Sequence, residues 1–307
     1  MILILGVTGS GKGTVAFELA RKIDAEIISI DSMKVYRRMD IGTAKPSARR
    51  RSRVRYHLID VVEPYESFSV DRFLDLAHKA IEQARASHKP VVAVGGTAMY
   101  IKALLYGLFD GPGADSTIRN RLKAEIDSQG PARLHHRLAG VDPEAARRIH
   151  PNDARRIVRA LEIFELTGKP ISSLQTQFDT WQMLNDWKII GLRREKSLES
   201  HRINTRVKQM IKDGLVEEVK ALLAEDRPLS TQARSAIGYA EIIDYLGGKM
   251  TLEKAVEKIK INTRRLAKAQ RTWFKTFKEV NWLDIAEDEP AEGIPDRTIA
   301  LLEDIKQ

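Results

Sequence analysis

The chain has 307 residues, 43% hydrophobic and 30% charged, so it can bury a large core and is long for one compact unit. Zero cysteines exclude disulfides and cysteine-based zinc sites. A formal net charge of +9 points towards a polyanionic partner. The first apolar run, Ile2 to Leu5, is far too short for a membrane span and has no signal-peptide pattern, so the expectation is a cytoplasmic monomer with no membrane partner.

In chain order, Met1–Leu5 reads as a strand, Lys12–Ile23 as a helix and Glu26–Ile30 as a strand. Asp71–Ala86 reads as a helix and Pro90–Val94 as a buried strand ending in Gly95-Gly96. The alternation predicts an α/β fold, a parallel sheet with helices on both faces. From about Gly111 to Asp186 no strand pattern occurs. That stretch is charged and punctuated by Gly130-Pro131, Asp142-Pro143 and Gly168-Lys169-Pro170, which predicts an all-helical insertion. A further strand is expected at Trp187–Leu192, followed by helices as far as Phe277. The expected division is a core in residues 1–110, an insertion in 111–186, and core completion with a basic helical C-terminal region in 187–307.

Charge concentrates near the end. From Lys254 to Lys278 nine Lys/Arg stand against one Glu, a net +8. Leu252, Val256, Ile259, Leu266, Trp273 and Phe277 fall at helical spacing, so this helix is expected to pack by that stripe and to present its basic residues on a fixed platform. His135-His136 reads as solvated surface, because side chains at i and i+1 diverge on a helix.

The stretch "GVTGSGKGT", Gly6-Val7-Thr8-Gly9-Ser10-Gly11-Lys12-Gly13-Thr14, nearly fits G-x-x-x-x-G-K-[ST]. A strand, a tight loop and a helix start would set several amides and the Lys12 charge around one anion, as in the core of a P-loop NTPase-like fold. Gly13 stands where a Mg²⁺-binding hydroxyl belongs, and Thr14 is the candidate replacement ligand. Asp31 ends the apolar strand "IISID", where it could hold a metal through water or serve only as a helix N-cap. Thr97 emerges beyond the strand at 90–94, and ligands in open α/β sheets sit past the carboxyl ends of strands. Lys12, Asp31 and Thr97 are therefore expected to share one crevice. Because GKGT also occurs in adenylate-kinase-like proteins, a nucleotide kinase is the alternative reading.

"DSMKVYRRMDIGTAKP" (Asp31–Pro46), "VGGTAMYIKALLYG" (Val94–Gly107), "NDARRIVRALEIFELTGK" (Asn152–Lys169) and "TRRLAKAQRTWF" (Thr263–Phe274) resemble, in order, motifs of the bacterial tRNA dimethylallyltransferase family. The resemblance runs from Gly6 to about Trp282. It implies a P-loop core with a helical insertion and Mg²⁺ as cofactor. The implied reaction moves a dimethylallyl group from dimethylallyl diphosphate to N6 of the adenosine 3′-adjacent to the anticodon (position 37) in the tRNA anticodon stem-loop. By the same resemblance Thr97 and Arg206 contact the diphosphate, and Asp31 takes the proton of the adenine amino group. Asp31, Ser32, Met33, Lys34, Thr97, Arg119, Arg155, Arg156, Ile157, Val158 and Arg159 lie on the RNA side. Lys268, Gln270, Arg271, Trp273 and Lys275 add further tRNA contacts. The chain departs from the family pattern at Gly13, commonly Thr, at Lys34, commonly Gln, at Arg38, frequently Gly, and at Ala269, commonly Arg. The arginines at 49, 50, 51, 53 and 55 have no role in the resemblance and read as a solvated loop.

Overall fold

The computed structural model describes residues 1–109, 111–175, 182–287, 289 and 293–304. The chain divides into two compact units, Met1–Leu105 with Asn185–Gln307, and Tyr106–Leu184.

The first unit is built on six parallel strands in the order β3-β2-β4-β1-β5-β6. They are β1 (Ile2–Gly6), β2 (Glu26–Ile30), β3 (Tyr56–His57), β4 (Val91–Gly95), β5 (Lys188–Arg193) and β6 (Val280–Asp284). The runs ILILG, EIISI and VVAVG are apolar on both faces, as a sheet covered by helices on each side requires. Register sets Leu3 between Ala93 and Ile189, so the ends of β1 and β4 open side by side. β2 has the expected bounds, and β1, β4 and β5 each lie one residue further along the chain than expected at both ends. β3 and β6 lie outside the strands expected from the sequence. Two residues of β3 are too few to set a period, and β6 is a half-exposed edge strand beyond the last expected helix.

The helices of this unit begin with α1 (Lys12–Lys22), α2 (Ala48–Arg51), α3 (Val70–Ala86) and α4 (Ala98–Tyr106). α3 starts on a side-chain cap, with Ser69 accepting from the Arg72 amide. α1 has none: Gly11, with φ 93°, precedes it, and its first amides keep their donors free for a ligand. Phe17 and Leu19 of α1 join Ile4, Ile27, Val92, Ile190 and Leu192 in the core under the loop.

The second unit contains α5 (Ser116–Gln129), α6 (Pro131–Val141), α7 (Pro143–Arg148), α8 (Ala154–Thr167) and α9 (Ile171–Leu174), with no strand among its described residues. Leu122, Leu134, Leu138, Ile157 and Leu161 form its core. Buried Asp142 caps α7 through the Ala145 amide (2.9 Å) and accepts from the Ser172 amide (2.9 Å). His136 is exposed as expected, but His135 is half-buried, its Nε2 within 3.0 Å of the Ala146 and Ile149 carbonyls.

The C-terminal part of the first unit carries α10 (Lys196–Lys212), α11 (Leu215–Leu223), α12 (Thr231–Arg234), α13 (Tyr239–Leu246), α14 (Leu252–Phe274) and α15 (Ile294–Asp304). α14 packs on α10, α13 and β1. Its buried residues are Ala255, Ile259, Lys260, Thr263, Ala267, Gln270 and Phe274. Of the expected stripe Ile259 and, just past the helix, Phe277 are buried, Leu252, Val256 and Trp273 are half-buried, and Leu266 is 41% exposed. The stripe therefore lies along the edge of the true buried face. Close approach to the sheet end selects small side chains, and polar ones are accepted where they find partners: Thr263 Oγ1 donates to Ile259 O at 2.7 Å.

Candidate active site

Gly9 and Gly11, with φ of 88° and 93°, turn the chain between β1 and α1 through a conformation that L side chains rarely adopt. The turn sends carbonyls outwards, where cations meet them. Val7 O accepts from Lys12 Nζ at 3.4 Å, Gly9 O from Arg202 Nε at 2.8 Å, and Ser10 O from Arg194 Nε at 3.0 Å. Arg206 Nη2 donates to Thr8 Oγ1. Gln270, from the inward face of α14, is a strut: its Oε1 accepts from the Thr8 amide (2.8 Å) and its Nε2 donates to Gly96 O (2.9 Å). The amides of Gly9, Gly11, Lys12 and Gly13 meet no protein acceptor among the described residues. With the α1 dipole behind them, they form a concave set of donors suited to phosphate oxygens.

The ends of β2 and β4 complete the floor. Ile30 O accepts from the Gly96 amide at 3.3 Å, and Thr97 Oγ1 accepts from the Ser32 amide at 3.1 Å. A Cβ at Gly95 would lie 2.0 Å from Ile30 O, so only glycine permits this approach. Asp31 Oδ1 accepts from the Met33 (2.9 Å) and Lys34 (3.2 Å) amides. No helix starts here, so Asp31 is not the helix N-cap that the sequence also allowed; one of its oxygens caps a turn instead. Oδ2 has no hydrogen bond among the described residues, and the side chain is half-buried.

Lys12, Lys34 and Arg206 each feel the charge of this carboxylate. Burial pushes the Lys12 ammonium down to about 7, helped by Lys34 and Arg206 and opposed by Asp31. Burial likewise lowers Lys34 and Arg206, each opposed by Asp31. Three cations sharing one carboxylate favour a polyanionic ligand. Beside Arg206 a cleft of about 400 Å³, lined also by Lys45, Arg51, Gln209 and Asp213, leaves its side open.

The donor set does not fit a metal bound by the loop. Gly13 offers no side-chain oxygen, and Thr14 Oγ1, the expected replacement ligand, takes a hydrogen bond from Arg50 Nη2 at 3.4 Å. Among the described residues no group of three or more His, Asp or Glu side chains could hold a metal ion.

The expected RNA-side residues fall into several classes. In the second unit Arg119 grips the fully buried Glu162 with two bonds (2.8 and 3.0 Å), and Arg159 adds a third at 2.7 Å. These contacts hold the Glu162 carboxyl below its usual range against the opposing effect of burial. Ile157 and Val158 face that unit's core, so their side chains are turned from solvent, whereas Arg155 and Arg156 are exposed. On α14, Gln270 points inward and Arg271 pairs with the buried Glu199. Trp273 is half-buried; Lys268 and, just past the helix, Lys275 are exposed. Sequence reasoning missed Arg194, Arg202 and Arg50. Arg202 was findable, since it shares a helix face with Arg206 four residues on.

A glycine loop closing a central parallel strand, with free amides at a helix start and a lysine inside it, defines a protein of P-loop NTPase-like α/β fold. The family model described as IPP transferase matches residues 34–277. The chain belongs to that family. It is 44% identical over 288 residues to the tRNA dimethylallyltransferase of Geobacter metallireducens, covering 92% of each chain. To the enzyme of that name from Geobacillus thermodenitrificans it is 44% identical, over 94% of this chain and 91% of the relative. The crystal structure of a full-length tRNA isopentenylpyrophosphate transferase from Bacillus halodurans aligns with TM-score 0.70 and 40% identity, covering 99% and 96% of the two chains. A eukaryotic dimethylallyltransferase acting on tRNA aligns with TM-score 0.84 and 28% identity, covering 99% and 79%. No helix among the described residues is long and apolar enough to cross a membrane.

Proposed function

We propose that this chain transfers a dimethylallyl group from dimethylallyl diphosphate to N6 of the adenosine 3′-adjacent to the anticodon in tRNA, releasing diphosphate. The observation that carries this reading is Asp31, with one oxygen fixed in a turn and the other free, its charge felt by Lys12, Lys34 and Arg206 beside the donor cradle. In the reaction the allylic carbon–oxygen bond breaks, its electron pair leaves on the diphosphate, and the N6–carbon bond forms as the N6 proton passes to Asp31. The adenine amino lone pair is delocalised into the ring, so a carboxylate that orients it and accepts its proton lowers the barrier. Negative charge grows on the departing diphosphate, where the loop amides, Lys12 and Arg206 are aimed. The base leaves its stack to reach Asp31. Thr97 fixes the turn that carries Asp31 through its bond from the Ser32 amide. The protein acts as a cytoplasmic monomer in this reading.

Incubation with dimethylallyl diphosphate and unmodified tRNA, followed by nucleoside mass analysis, tests it. One dimethylallyl group replacing a hydrogen on the adenosine next to the anticodon is the expected product. ATP turnover with a mononucleotide acceptor, and no modified nucleoside, overturns it in favour of a kinase.

A further inference from the structure

Arg50 stands at the first turn of α1 with no carboxylate paired to it among the described residues. Its Nη2 donates to Thr14 Oγ1 at 3.4 Å, and its guanidinium lies 5.1 Å from the centre of the Phe17 ring. Neighbouring arginines are engaged elsewhere: Arg51 pairs with Asp60 at 2.5 Å, and Arg55 approaches Glu26 at 3.6 Å. Arg50 is carried on α2, whose start is capped by Ser47, so the Phe17 ring and a short capped helix together direct the guanidinium at α1. The N-terminal end of α1 bears partial positive charge and the free amides of Lys12 and Gly13. Two positive groups placed together repel unless an anion joins them. The loop surface at Gly13 is open, since a Cβ there would meet no atom within 4 Å, so an anion can reach the Lys12 and Gly13 amides from that side.

We infer that Arg50 is a ligand of the diphosphate in this chain, supplying from α2 the positive charge that a metal on a loop hydroxyl would otherwise supply, so that diphosphate binds without Mg²⁺. A guanidinium can present two parallel donors to one phosphate, which an ammonium cannot. Swinging from Thr14 Oγ1 to a phosphate oxygen costs one neutral hydrogen bond and gains a charge-assisted one. The inference rests on the reading of the loop as a diphosphate cradle.

Titration calorimetry with inorganic diphosphate on the full chain, in EDTA and in excess Mg²⁺, tests it, with circular dichroism as the check on folding. The wild-type protein is expected to bind within about threefold in the two conditions, whereas Arg50→Gln in EDTA weakens about tenfold or more. Arg50→Lys is expected to recover part of that loss, since the charge remains while the fork is gone. Two results overturn the inference: wild-type binding that collapses in EDTA, which requires no variant, or a folded Arg50→Gln that binds in EDTA as tightly as wild type. Absence of diphosphate binding by the wild type in both conditions removes the cradle reading itself and this inference with it.

Discussion

Lys12 carries the clearest residue-level expectation. Its ammonium titrates near 7 in the free protein instead of at 10.5. A diphosphate needs it protonated, so above pH 7 binding takes up a proton and affinity falls as pH rises, by up to about tenfold per unit. Below pH 7 the group is already charged and this dependence vanishes. The comparison is wild type against Lys12→Gln, which share the ligand's own titration; equal slopes from pH 6 to 8.5 would refute the assignment. Stability runs the other way. The unfolded chain holds this proton between about 7 and 10.5 while the folded chain does not, so folding is penalised below pH 7 and gains as pH rises through that window. Lys12→Ala removes a donor to the leaving group and should cost about 3 kcal/mol, roughly a hundredfold in single-turnover transfer. Asp31→Asn separates chemistry from binding. Its amide oxygen can still accept from Met33 and Lys34, so the turn survives, while the proton acceptor is removed. Single-turnover transfer is expected to fall by about a hundredfold or more, with diphosphate affinity within about threefold of wild type. A parallel loss of affinity would make Asp31 part of the binding site instead.

At the scale of elements, α14 serves two tasks that its sequence presents as one basic helix. Its inward side holds the loop through Gln270. Gln270→Ala leaves the Thr8 amide and Gly96 carbonyl unpaired in a buried setting, a cost of about 1–3 kcal/mol in thermal or denaturant unfolding. The same variant should weaken prenyl diphosphate binding and spare tRNA affinity; the reverse pattern would restore Gln270 as an RNA contact. Its exposed side divides again. Burial raises the Glu199 carboxyl and Arg271 opposes this, so Arg271→Gln abandons a buried acid and should destabilise by about 2 kcal/mol. Arg264 is also held, donating to Asn204 Oδ1 at 2.6 Å. Lys268 and Lys275 meet no such partner among the described residues. Changing each to Gln should leave the melting temperature unchanged and flatten the salt dependence of tRNA binding by roughly one unit of slope for each phosphate no longer neutralised. Unaltered slopes in the double variant would move the RNA surface elsewhere.

Over the whole molecule, an excess of nine positive charges predicts that tRNA binding is salt-sensitive throughout. With about four phosphate contacts, doubling the salt concentration should weaken it roughly tenfold, and an affinity flat in salt would oppose a phosphate-based interface. The parts of the fold legible in the sequence are those built from neighbours along the chain. Contiguous aliphatic runs made β1, β2, β4 and β5 visible, since buried parallel strands must be apolar on both faces. The loop was visible because glycine spacing and a lysine suffice to describe it. Hidden were the features decided by distant partners. The buried face of α14 is set by the elements it packs on, α10, α13 and β1, and takes in Lys260, Thr263 and Gln270, which a hydrophobic period does not select. The sequence offered Gln270 and Arg271 as tRNA contacts and Arg50 as solvated loop, and what sets their tasks is that Thr8, Glu199 and Thr14 lie opposite. Local pattern determines which way a backbone runs, because backbone hydrogen bonding and burial repeat with a short period. The task of a polar side chain is determined by the charge and the donor it meets, and those arrive from residues 36 to 262 positions away.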